Sequence, residues 1–182
     1  IYLLLSNLAF NFSENVSFER NGYAHFRYGY SLNSWLTPEA LLQYQIDVPL
    51  RIEQRILAGA GPRFKLVKST KQKLYTGHLV LYEVDKELNN PIEHRDFRLS
   101  SYLVYELKVE KKYRWTTTMY YQPRLDNFED FRLSAQTQFQ LQFLKNLQFI
   151  ITASANYDAF PVQDATIPNL TYRLTNGLLV TF

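Results

Sequence analysis

The residues of this chain best suited to proton transfer near neutral pH are three histidines, His25, His78 and His94. His25 stands six residues before Ser31, and His94 precedes Arg95 and Asp96. Nucleophilic catalysis by serine needs a histidine within hydrogen-bond reach and a carboxylate to orient it. None of the three sits in such a pattern, so all read as ordinary polar or packing residues and no catalytic residue is assigned. The chain has no cysteine, which excludes thiol chemistry and a disulfide framework. The scattered histidines offer no metal-ligand spacing, and neither a metal nor a cofactor is expected. GAGPR, Gly59 to Arg63, lacks the Lys-Ser/Thr ending of a phosphate loop and lies inside a strand pattern. Its glycines read as room for bulky neighbours or as a bend.

Arginine is the more informative residue type. Arg27, Arg55, Arg63, Arg98, Arg114, Arg132 and Arg173 fall on the polar parity of alternating segments, together with Asp47, Glu83 and Glu106. Gln136, Gln138 and Gln140 share that parity. Charges shielded from bulk water must pair or stay solvated. These residues therefore either form a network that plugs an interior or line a cationic filter that selects anions. The plug is the favoured reading, because so much Arg, Gln and Tyr fills a narrow interior.

The elements that carry them are strands. FRLSAQTQFQLQF, Phe131 to Phe143, alternates apolar and polar residues almost without error, and successive strand side chains point to opposite faces. The same period recurs along the chain, predicting about ten strands near 1–12, 21–35, 40–49, 52–67, 72–85, 95–108, 111–122, 130–143, 146–158 and 169–182. Leu3, Leu5, Leu79 and Leu81 fall on the otherwise polar face. Short basic turns, Lys68 to Lys73, Glu110 to Lys112 and Leu144 to Asn146, alternate with longer acidic loops, Glu83 to Asp96, Pro123 to Asp130 and Asp158 to Pro168. That layout, with apolar faces ending in Tyr or Trp, predicts a single antiparallel up-and-down transmembrane barrel over 1–182. A soluble binding barrel would reverse the faces. An even strand count puts both termini at the short-turn, periplasmic end.

Composition agrees. The 182 residues include 14 Tyr, 13 Phe and 2 Trp, which favours strands. Twenty basic and 17 acidic residues give a formal charge of +3, too balanced to argue for nucleic acid. No run reaches the roughly 18 apolar residues of a spanning helix. The chain opens at Ile1, so a targeting peptide or further N-terminal sequence is expected to have been removed.

From Gly22 onward the chain resembles a known family. WTTTMYYQPRLDNFEDFRLSAQTQFQLQFLKNLQFIITASANYDAFP, followed by LTYRLTNGLLVTF, is similar to the YdiY-like outer-membrane barrels of unknown function described as salt-induced. GYAHFRYGYSLNSWLTPEALLQYQIDVPLRIEQRILAGAGPRF and HRDFRLSSYLVYEL resemble the Bacteroidota branch. The resemblance implies integral placement in the outer membrane of a Gram-negative bacterium and, if N-terminal sequence is missing, twelve strands. Tyr172, Leu174, Leu178, Val180 and Phe182 resemble the C-terminal signal read by the barrel-assembly machinery. The expected role is non-enzymatic, structural or accessory, with outer-membrane lipid as partner and a place beside other outer-membrane proteins in a complex. The alternative is a narrow anion-preferring channel. An envelope lipid-modifying enzyme requires His25 or His94 to be essential.

Overall fold

The computed structural model describes residues 2–13, 16–48, 50–89, 93–110, 112–161 and 168–180, with side-chain surroundings from residue 22 onward. Ten strands follow one another: β1 (Tyr2–Ser13), β2 (Val16–Gly29), β3 (Leu36–Asp47), β4 (Ile52–Lys68), β5 (Gln72–Glu87), β6 (Glu93–Val109), β7 (Tyr113–Pro123), β8 (Phe131–Leu144), β9 (Leu147–Asp158) and β10 (Leu170–Val180). They form one antiparallel sheet in sequence order. Among the described residues there is no helix, and β1 and β10 are not paired with each other.

Alternation decides which way each strand faces. On β5, Gly77, Leu79, Leu81, Glu83 and Asp85 are buried, while His78, Val80 and Tyr82 between them are exposed. On β8 the register sets Gln136 opposite Ser154, Gln138 opposite Thr152 and Arg132 opposite Asp158, so the amide parity shares the concave face. The sheet curls enough for that face to meet itself. Arg132 of β8 reaches Glu83 of β5, and Tyr102 of β6 reaches Glu39 of β3. Where the two halves approach, Leu41, Leu57, Leu79, Leu81 and Tyr102 form the buried apolar cluster, with Val104 and Tyr120 against it. Leu79 and Leu81 therefore lie inside, as their parity requires.

Glycine makes this layer possible. A Cβ on Gly59 would meet the Val80 carbonyl and lie 2.5 Å from Leu81 Cδ2. One on Gly61 would collide with the His78 carbonyl, and one on Gly77 with the Tyr102 ring. Each glycine sits where a buried side chain or neighbouring backbone crosses the strand closely. The β4–β5 ladder carries no pairs at Gly61 and Pro62, where proline has no N–H to give.

The boundaries depart from expectation in three main places, the first being that the second strand begins at Val16, not 21. The second strand stops at Gly29, not 35, because Asn33 turns the chain: its Oδ1 accepts the backbone N–H groups of Trp35 and Leu36. β3 then begins at Leu36 and runs through Pro38, which stands opposite Pro62. The loop expected from Glu83 to Asp96 is mostly strand, since β5 and β6 stay paired out to Lys86 opposite Glu93. Lys86 and Glu93, of opposite charge, face each other at the end of the ladder, which favours pairing there.

Candidate functional site

Two ionic clusters lie on the concave face, one to each side of the leucine layer. The first is centred on Glu83, which is 1% exposed. Arg132 Nη1 donates to both of its carboxylate oxygens, at 2.9 and 2.8 Å. Arg98 Nε stands 3.6 Å and Arg55 Nε 3.9 Å from Glu83 Oε1. The same arginines are shared outward: Arg55 Nε donates to Asp85 at 3.0 Å, Arg132 Nε to Asp158 at 3.1 Å, and Arg98 Nη2 to Asp130 at 3.0 Å. Arg124 in the β7–β8 loop joins Asp130, Asp96 and Asp126. Its guanidinium holds the Asp126 carboxyl below the usual carboxylate range, and its own pKa is raised by that hydrogen bond.

The second cluster is centred on buried Glu39. Arg63 Nη1 donates to Glu39 Oε1 at 3.1 Å, Arg27 Nη1 lies 3.6 Å from Oε2, and the Tyr102 hydroxyl donates to Oε2 at 2.6 Å. Both guanidinium groups also lie over aromatic faces, Arg27 on Tyr102 at 5.1 Å and Arg63 on Tyr75 at 4.2 Å. Each arginine is thus held between a carboxylate and a ring face.

The structure thus brings together Arg55, Arg98 and Arg132 at one centre and Arg27 and Arg63 at the other. Glu106 forms a smaller, half-exposed group with Lys108 at 2.8 Å, Lys73 at 3.7 Å and Arg114 at 4.0 Å. Gln138 and Gln140 bond each other and Thr152, while Gln136 faces Ser154. Arg173 stands opposite Ser154 on the same face but is exposed and outside both clusters. Tyr172, 83% exposed, projects with Leu174, Leu178 and Val180 from the convex face, and Phe182 lies outside the described residues.

Several participants were not anticipated from the sequence. Glu39 and Asp85 share the inward parity of Gln43 and Glu83, and their charge was the available signal. Asp130 and Arg124 sit in a loop, where alternation says nothing.

At the long-loop end the concave face opens into a cavity of about 890 Å³. Its charged lining is Arg27, Arg55, Arg98, Arg124 and Arg132 against Asp47, Glu83, Asp85, Glu87, Asp96, Asp130 and Asp158. Acid therefore exceeds base. His25 lies buried in this wall, its Nδ1 3.1 Å from Gln43 Oε1, and stacks on Tyr23. His94 is 3.7 Å from Glu87. His78 Nδ1 meets Ser101 Oγ at 2.9 Å on the convex face, where the two residues are direct cross-strand partners.

A family profile described as a protein of unknown function, DUF481, matches residues 7–182, from within β1 through the last strand. The chain belongs to the DUF481 family. That match covers the stretches that resemble the YdiY-like proteins, and it accords with an all-β, up-and-down sheet. No curated protein matches the chain.

Proposed function

We propose that this DUF481 protein is an integral outer-membrane barrel without enzymatic activity, with a structural or accessory role in the envelope beside larger outer-membrane proteins. The observation that carries the reading is the contrast between the two faces. The convex face exposes Phe26, Leu42, Val80, Phe97, Met119 and Phe139, while the concave face holds buried, paired charge. A soluble protein has no use for an apolar exterior around an ionic interior, whereas lipid outside satisfies both.

The interior favours a plug over a filter. The cross-sheet bonds Glu83–Arg132 and Glu39–Tyr102 and the leucines between them fill the middle. The acid excess at the long-loop end also opposes selection of anions. Lipid contact is tested with the chain's two tryptophans, Trp35 and Trp115, both exposed near the short-turn end. In vesicles of brominated phosphatidylcholine both should be quenched, more by bromine near the headgroup than at the acyl terminus. Unquenched emission from a folded, vesicle-associated protein would contradict the reading, as would native protein recovered in the soluble fraction of cells.

A further inference from the structure

We propose that the short-turn end of the concave face holds a binding pocket for a phosphate group, formed by Ser31, Thr37, Arg63, Lys65 and Tyr75. These five residues line a cavity of about 80 Å³, separate from the large cavity at the other end. They converge from four places: the β2–β3 turn, β3, β4 and β5. The space suits one tetrahedral anion and excludes a sugar or a nucleobase, so the rest of a larger ligand would project toward the turns.

The donors fit that anion. Lys65, two residues along β4 from Arg63, makes no ion pair among the described residues. The Arg63 guanidinium is fixed from two sides, on the Tyr75 ring and through Nη1 to Glu39, while its Nε is buried with no hydrogen-bond partner among the described residues. The Ser31 and Thr37 hydroxyls stand 3.4 Å apart, a weak mutual contact that an anion accepting from both would replace. Charge points the same way. The pocket is lined by Arg63 and Lys65 and by no carboxylate, and Glu39, which is bonded to Arg63, is shared with Arg27, so the pocket is net positive. Lys68 and Lys71 at the β4–β5 turn and Lys145 in the β8–β9 turn lie at the same end and raise the local anion concentration. A phosphate, with several acceptor oxygens, suits a net positive pocket lined by two cationic and three hydroxyl side chains better than a carboxylate does. The pocket rests on interior geometry and does not depend on the protein lying in a membrane.

The shared chemistry could arrive as free phosphate or as a lipid headgroup. The test titrates the full chain in maltoside micelles with inorganic phosphate in one arm and dihexanoyl phosphatidic acid in the other, followed by calorimetry. Saturable binding is expected in at least one arm; phosphatidic acid alone would identify a lipid source, and inorganic phosphate a free one. Lys65→Gln should weaken binding at least tenfold and Thr37→Val several-fold, both with unchanged circular dichroism, while Lys68→Gln should stay within twofold of wild type. No saturable binding in either arm would overturn the proposal. So would equal losses from Lys65→Gln and Lys68→Gln, which would show only the general attraction of a basic rim.

Discussion

At the scale of single residues, Glu83 carries more consequence than any other carboxylate. Three arginines converge on it, so Glu83→Gln removes the carboxylate at their buried centre and leaves them only the outer partners Asp85, Asp130 and Asp158. Loss of one partner from such a site costs roughly 3–5 kcal/mol. Glu106→Gln touches a half-exposed group and should cost no more than about 1 kcal/mol. Urea unfolding of the two variants compares them directly; equal costs would mean the Glu83 cluster is as solvated as the surface. In the β7–β8 loop, Asp126 has its carboxyl held down by Arg124. Its tie to Arg124 is therefore complete above the ordinary aspartate range and is lost only as pH falls through a lower value. An NMR titration should place the Asp126 midpoint below the ordinary value of about 3.9, and Arg124→Gln should return it there. The inward arginines were legible because alternation fixes parity. Asp130, which pairs with Arg98, and Arg124, which pairs with Asp130, were not, because a loop has no parity to read.

At the scale of elements, period-2 patterning located every strand, and its errors came from turn chemistry. The Asn33 turn cut the second strand short and let β3 start before Pro38. A proline reads as a breaker in sequence, yet here it stands in a strand opposite another proline. The glycines of β4 and β5 give a sharper test of the packing. Gly61→Ala pushes a methyl against the His78 carbonyl, which is backbone and cannot rotate away, so overpacking should cost at least about 1–3 kcal/mol. Gly177→Ala has open space around it and should be neutral or slightly stabilising. Thermal melts that ranked the two variants in reverse would contradict the close β4–β5 approach. On β8, Phe139→Lys places a charge on the exposed apolar face and should cost roughly 2–4 kcal/mol if that face meets lipid. Gln140→Lys, on the concave face, should be tolerated far better in refolding into vesicles. The reverse order would turn the barrel inside out.

At the scale of the whole molecule, the ends differ in charge and the interior differs from the exterior. Acidic loops and a wide, acid-rich cavity occupy one end; lysine-bearing turns and a narrow basic pocket occupy the other. The sequence announced this asymmetry through its alternating loop lengths and charges. It did not reveal how the halves of the sheet meet, since Glu83 and Arg132 are 49 positions apart and no local pattern links them. That meeting is the central claim: the interior is filled, with two cross-sheet bonds and a leucine layer in place of a pore. The most direct measurement is ion current through the purified protein in a planar bilayer. A filled interior predicts little or no conductance in wild type, with openings appearing or stability falling when Arg98→Ala and Arg132→Ala are combined, leaving Glu83 only Arg55 and Asp130 only Arg124. Steady, anion-selective unitary currents from wild type would contradict it and establish a channel instead.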